Sequence, residues 1–223
     1  MARLGIDWKS ASAIAPTAVT TGESEAAADA KEVRGRFAEH PMMVYVMSDD
    51  PTDSATRKLD SVAFAKEQVG IGSKFFECFK MTAGDAAQDR MTKEAGKQIP
   101  RIIFMKRDYT VVTVLEGNEL SGGGIVKAMQ MVVRQEYETN FDTMVRDYIS
   151  LLNDLDRLES KKAAIEDQKR RVAEKPNKSK EKKIARDEEE YKAEMEAFEA
   201  KENKIKQLKA KGEEEKPADG TEA

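Results

Sequence analysis

"KQIPRIIFMK", residues 97–106, decides the fold, because a proline stands at the mouth of a run that otherwise reads as a buried strand. Proline has no N–H to give to a ladder, so within sheets it is held to edges, bulges and first positions. Either a strand begins at Arg101, or Pro100 is a shaped feature, a cis peptide beside a binding surface. Downstream, "TVVTVLE" (110–116) reads as a second strand. Only "RDY" separates the two, a reversal so tight that the pair must be antiparallel.

Upstream, "MMVYVMS" (42–48) is an unbroken apolar run rich in strand formers. "DDPTDSATRKLDSVAFAKEQVG" predicts one helix. An Asp precedes Pro51, further acids fill the first turn, Leu59, Val62, Ala63 and Ala65 recur at helical spacing, and Gly70 closes it. "KFFECFKM" (74–81) is the next strand, and "GDAAQDRMTKEAG" (84–96) a short polar helix closed by glycine. After the hairpin, Ser121 caps a helix through "GGGIVKAMQMVVRQEY". Two strands joined by a crossover helix are parallel. The order therefore predicts an α/β architecture, a mixed central sheet with helices on its faces.

The N-terminal side is less patterned. Residues 1–23 read as a disordered or loosely docked arm for which Ile6 and Trp8 are the candidate anchors, and residues 24–40 have helical composition and stop before Pro41.

This order resembles the thioredoxin fold over roughly residues 36–138. The resemblance rests on "VYVMS" as first core strand, on "QIPRIIFMKRDYTVVTVLEG" as proline strand and hairpin, and on "LSGGGIVKAMQ" as final helix. It implies a cis Ile99–Pro100 bond and a backbone at Ile99 that an extended peptide can pair with. It also implies a departure. Redox-active members carry Cys-x-x-Cys at the start of the helix after the first core strand, and "SATRKL" puts Ser54 and Arg57 at those places while keeping Lys58 and Leu59. Disulfide exchange needs a thiolate, which neither a hydroxyl nor a guanidinium supplies. The expectation is a peptide groove around Ser54, Arg57, Ile99 and Pro100 with no catalytic residue.

The remaining chemistry-bearing residues have plainer readings. Cys78 is the one cysteine, which excludes an internal disulfide, and alternation sets it with Phe76 and Lys80 on one strand face as a small apolar residue. Asp49, Asp50 and Asp53 lack companion ligands elsewhere in the sequence and suit helix capping better than a metal. His40, the sole histidine, sits at an element boundary. "LSGGG" (120–124) invites comparison with phosphate loops, yet Ile125 and Val126 stand where a Walker loop needs Lys and a hydroxyl. No cofactor or metal is called for.

The last third is a different material. Met144, Tyr148, Leu151, Leu155, Leu158, Lys162, Ile165, Lys169 and Val172 recur at alternating steps of four and three. Ile184, Glu188, Tyr191, Met195, Phe198, Glu202 and Ile205 do the same, with Leu208 close by. Pro176 interrupts, and Ser179 is the expected cap of the second helix. Folding back at Asn177 opposes Val172 to Ile184, Ile165 to Tyr191, Leu158 to Phe198, Leu151 to Ile205 and Tyr148 to Leu208. It also sets the misplaced Lys169 against the misplaced Glu188. The predicted domains are thus 1–23 arm, 24–138 thioredoxin-like domain, 139–212 antiparallel coiled-coil hairpin turning near 175–179, and 213–223 acidic tail. One helix per chain zipping with a second subunit is the rival arrangement.

Charge and hydropathy bound the partners. Net charge is −4, charged residues make up 36% and mean hydropathy is −0.67, with no apolar run long enough to span a bilayer and no apolar secretory leader. The expectation is a cytoplasmic, non-catalytic binding or scaffolding protein that works through the groove and through protein association, or self-association, at the coiled coil. The alternative is a thiol-dependent oxidoreductase working through Cys78 or a partner's cysteine, which requires Cys78 exposed with a lowered pKa. The Lys-rich turn "EKPNKSKEKKIAR" raises nucleic acid. The following "DEEE", the lack of nearby aromatics and the absence of a basic domain argue against it.

Overall fold

The computed structural model describes residues 5–11, 14, 40–206 and 211, so the readings for residues 15–39, for the pairing of Tyr148 with Leu208 and for the tail from 212 lie outside the described residues. Two compact units divide between Phe141 and Asp142.

The first unit is built on five strands: β1 (Lys9–Ser10), β2 (Met42–Met47), β3 (Glu77–Thr82), β4 (Arg101–Met105) and β5 (Val111–Glu116). Their order across the sheet is β1-β3-β2-β4-β5, with β1, β3 and β2 mutually parallel and β4 antiparallel to both β2 and β5. The expected mixed sheet is present and the hairpin after Pro100 is antiparallel. Its reversal is tight enough to put Tyr109 at φ 66°.

Period-two alternation sorts the sheet into two apolar faces. Met42, Val44, Val46, Met81, Ile103 and Met105 share one face with Ile14, Ala86 and Ala95. Met43, Tyr45, Cys78, Ile102 and Phe104 occupy the register positions between them. On this second face Tyr45 stacks edge-on to Phe64 with centroids 5.1 Å apart, and Phe76 meets Phe104 at 5.9 Å. Every strand residue of β2 up to Val46 and all of β4 are buried, so the centre of the sheet is dry on both sides.

Three departures from the sequence reading have physical causes. The single helix expected up to Gly70 is divided: α1 (Ser54–Lys58) widens into a π-helical turn over Leu59–Ala63, the chain extends at Lys66, and α2 (Glu67–Gly72) follows. The Phe64 N–H reaches the carbonyl of Leu59, five residues back, and the Ser61 hydroxyl bonds the Arg57 carbonyl at 2.8 Å, a contact that bends helices. The wider turn brings Phe64 inside against Trp8 and Tyr45 and turns Val62 out to 56% exposure. The large ring wins the buried position that regular spacing had given to valine.

The strand expected at 74–81 begins later, because Ser73–Phe75 form a 3-10 turn running on from α2. The polar helix expected over 84–96 is only α3 (Ala83–Gln88). It stops where the buried Asp89 carboxylate accepts from the Met91 and Thr92 N–H groups at 3.0 and 2.9 Å, in competition with the helix ladder. Its other oxygen accepts from the Ile14 N–H at 2.9 Å, tying the N-terminal segment to this loop.

Within residues 5–11 the candidate anchor Trp8 is docked. The Lys9–Ser10 strand pairs with Phe79 and Lys80, and Trp8 packs on Phe64 at 5.1 Å and Tyr45 at 5.6 Å.

Ser121 caps α4 (Gly122–Glu136) as expected, accepting from the Gly124 N–H at 3.1 Å. The helix buries Ile125, Ala128, Met129, Val132 and Val133, a stripe at three- and four-residue spacing. The glycines before that stripe are spacing devices. A Cβ at Gly122 would run into the Lys66 side chain, and one at Gly124 into the Glu119 carbonyl.

The second unit is a helical hairpin of α5 (Phe141–Glu174) and α6 (Lys178–Lys206). Ile165, Val172, Ile184 and Tyr191 form one cluster in the register that the two heptad series require. Lys169 pairs with Glu188. Further down, Lys161 meets Glu194 at 2.9 Å and Lys201 meets Asp154 at 2.6 Å. The cap is a correction. Asn177, not Ser179, accepts from the N–H groups of Ser179 and Lys180 at 3.0 and 3.2 Å. Pro176 stops α5 so close to the reversal that the next residue already holds the N-cap position.

Candidate functional site

The site grows from the mouth of β4. The Ile99–Pro100 bond is cis, Pro100 is buried and Ile99 is 38% exposed, one of few large apolar side chains so open among the described residues. Just before it, the Lys97 and Gln98 N–H groups both donate to one carboxylate oxygen of Glu116, the latter at 3.0 Å. Gly96 makes room for this at φ 88°, where an added Cβ would strike Glu116, Arg101 and Val114.

Beneath the loop lies Arg101, which is 5% exposed. Its guanidinium donates to the Thr92 carbonyl at 3.2 Å and the Gln98 carbonyl at 3.5 Å, while its Nε has no partner among the described residues. Burial lowers its pKa and the nearby Glu116 charge opposes that shift. Glu116 and Arg101, facing one another across β4 and β5, therefore clamp residues 97–98 from two sides. The chain between the clamp and β4 is left open. Neither the N–H nor the carbonyl of Ile99 has a hydrogen-bond partner among the described residues.

The other half of the predicted groove begins α1. Asp53 is its N-cap, accepting from the Thr56 N–H at 2.7 Å, and this bond holds its carboxyl below the usual range. Asp50 closes a turn on the Thr52 hydroxyl and N–H, which lower its pKa likewise, and Asp49 accepts from the Gly84 N–H at 3.2 Å. Of the three acids only Asp53 caps α1 as expected; Asp50 closes the turn before it and Asp49 holds an N–H of α3. Ser54 and Arg57 are exposed, and no side-chain hydrogen bond or ion pair engages them among the described residues. Because Val46 pairs with Arg101, the end of β2 that leads into α1 and the start of β4 lie at the same end of the sheet. Ser54, Arg57, Ile99 and Pro100 thus belong to segments emerging at that end.

Cys78 is a correction to the thiol alternative, which needs it exposed and acidic. It is 3% exposed, its sulfur lies 3.5 Å from the Ser73 carbonyl, and burial pushes its pKa up to about 12. At neutral pH it holds its proton. His40 stands 3.4 Å from the Tyr137 hydroxyl, at the boundary position expected of it. Among the described residues no group of three His, Cys, Asp or Glu side chains could hold a metal, and no helix is long and apolar enough to cross a membrane.

Sequence reasoning missed the clamp. Arg101 reads as the polar start of an apolar strand and Glu116 as a strand end, and only the β4–β5 register makes them a pair. It also missed Tyr45, fully buried with a hydroxyl that meets no partner among the described residues. No protein-family model matches this chain, and neither does any curated protein.

Proposed function

We propose that this chain is a thioredoxin-like binding protein without disulfide chemistry at the usual site, which takes extended peptides beside Ile99 and Pro100. The observation that carries the reading is the unpartnered main chain of Ile99, presented beside its own exposed side chain by a loop clamped through Glu116 and Arg101. An open N–H and carbonyl flanked by an apolar side chain is what strand addition uses: the backbone gives affinity and alternate side chains give selectivity. The order of parallel β1, β3 and β2 followed by antiparallel β4 and β5 supports the family resemblance. Ser54 and Arg57, both exposed, offer a hydroxyl and a cation to the same ligand. The helical hairpin adds a second surface for assembly.

The test selects peptides from a displayed library on the full chain and titrates them by fluorescence anisotropy. Placing a carboxylate where a side chain would be covered, Ile99→Asp should weaken binding by about tenfold or more, the equivalent of roughly 1.4 kcal/mol. Equal affinity for the wild type, Ile99→Asp and Arg57→Ala overturns the groove. Insulin-reduction turnover lost on Cys78→Ser would favour the oxidoreductase instead.

A further inference from the structure

Residues 167–187, which close the helical hairpin, hold nine basic and four acidic side chains, a net of +5. The rest of the hairpin's described length, 142–166 and 188–206, holds eight basic and thirteen acidic, a net of −5. The hairpin is therefore polarised along its length.

The sequence suggests that "DEEE" (187–190) neutralises the turn. The geometry limits that neutralisation. Glu188 pairs with Lys169, and Glu190 pairs with Lys161 and Arg186, so these acids answer the bases where the tip joins the arms and not the lysines around the reversal. Asp167 is taken by Arg170 and Arg171. Lys175, Lys178, Lys180, Lys182 and Lys183 are all exposed and have no acidic partner among the described residues. Five such lysines, with the exposed Glu174 and Glu181 among them, crowd a tip whose two large apolar residues, Val172 and Ile184, are buried in the seam.

We propose that this tip binds the phosphate backbone of a double-stranded nucleic acid, independently of sequence and of the peptide groove. Three features select that partner. The tip has no Trp, Tyr or exposed apolar anchor, and lysine is depleted from protein interfaces. With no buried-in-lipid group to add a second signal, it is poorly equipped to hold a membrane. No aromatic residue occurs between Tyr148 and Tyr191, which removes the stacking that single strands need and leaves phosphate contact. Two helices side by side are also too broad for the major groove, which admits one. Contact is with the backbone.

The experiment uses the full chain and a fluorescein-labelled duplex of about 24 base pairs, as DNA and as RNA, with affinity read by anisotropy at roughly 50 and 200 mM KCl. Five phosphate contacts predict a log–log salt slope of about −4.5, a loss of about 500-fold over that interval. Replacing the five lysines together with Gln should abolish binding, while K192Q/K204Q on the arms should leave it unchanged. Circular dichroism at 222 nm checks that the helices persist. Should the fivefold variant unfold, K182Q/K183Q alone should reduce the slope by about 2. Absence of duplex binding at the lower salt overturns the proposal, as does binding that survives the lysine changes. Retention on phosphatidylserine vesicles without duplex binding assigns the tip to lipid and overturns it too.

Discussion

Tyr45→Phe tests the packing argument at its weakest-looking point. The Tyr45 ring is fully buried between Trp8 and Phe64, with the Lys80 ammonium 5.2 Å from its centroid. Its hydroxyl makes no hydrogen bond of ordinary geometry among the described residues, and the nearest hydroxyl to act on it is that of Thr56, which also accepts from the Ser48 N–H at 3.5 Å. Burial, reinforced by Asp60 and opposed by the Thr56 hydroxyl, raises its pKa, so the phenol keeps its proton and remains a donor with at best a poorly aligned acceptor. An unsatisfied buried hydroxyl costs about 1–3 kcal/mol. Removing only that oxygen keeps the ring contacts, so Tyr45→Phe should stabilise the first unit by about 1 kcal/mol or more. For a unit of this size that raises its thermal midpoint by roughly 3–6 °C. Tyr45→Ala, which deletes the ring, should cost about 3–5 kcal/mol. The assay is urea unfolding followed by tryptophan fluorescence. Trp8 is the sole tryptophan and stacks on the residue being changed, so the signal reports this unit and not the helical hairpin. A Tyr45→Phe variant with unaltered urea slope and a lower midpoint would refute the reasoning, since the hydroxyl would then have to be engaged.

Gly96→Ala forces a side chain into a positive-φ site against Arg101 and Glu116. It should lower stability by about 1–3 kcal/mol and weaken peptide capture, read by the same urea curve and by anisotropy. In the hairpin, Lys161 holds the Glu194 carboxyl below its usual range while its own pKa is raised by that bond. The pair's contribution is therefore complete between the ordinary carboxylate range near pH 4 and the ordinary lysine range near pH 10. It is lost as pH falls through the lowered acid value or rises through the raised lysine value. Helicity at 222 nm should hold between those limits and fall in acid, and Glu194→Gln should flatten part of the acid limb. Cys78, buried and raised, should react with iodoacetamide at pH 8 only in denaturant, by mass spectrometry; native labelling at a free-thiol rate would refute its burial.

The hairpin was the most legible part, because its register is fixed by residues repeating along two helices, and each arm checks the other. Lys169 against Glu188 could be paired on paper for that reason. The strands were legible through apolar runs, and the parallel and antiparallel pairings through the length of what joins them. What failed was local structure decided by distant partners. Val62 had the better helical spacing, yet Phe64 took the interior because Trp8 and Tyr45, 56 and 19 residues away, complete an aromatic cluster there. Asp89 ended a helix for the sake of Ile14. Of the candidate site, Ser54, Arg57, Ile99 and Pro100 could be named from motif order. The Glu116–Arg101 clamp that shapes their surroundings depends on cross-strand register, which no local pattern carries.

The two-residue β1 has an influence out of proportion to its length. By lying along Phe79 and Lys80, with the Ala11 N–H added to the Lys80 carbonyl at 3.1 Å, it shields the outer margin of β3. A bare sheet margin is a template for neighbouring chains. Among the described residues the opposite margin is β5, where Val111 lies open. Trimming the first eleven residues would remove those main-chain bonds and lay bare the β3 margin at Phe79 and Lys80, and such a chain should aggregate more readily than the full one in a light-scattering assay.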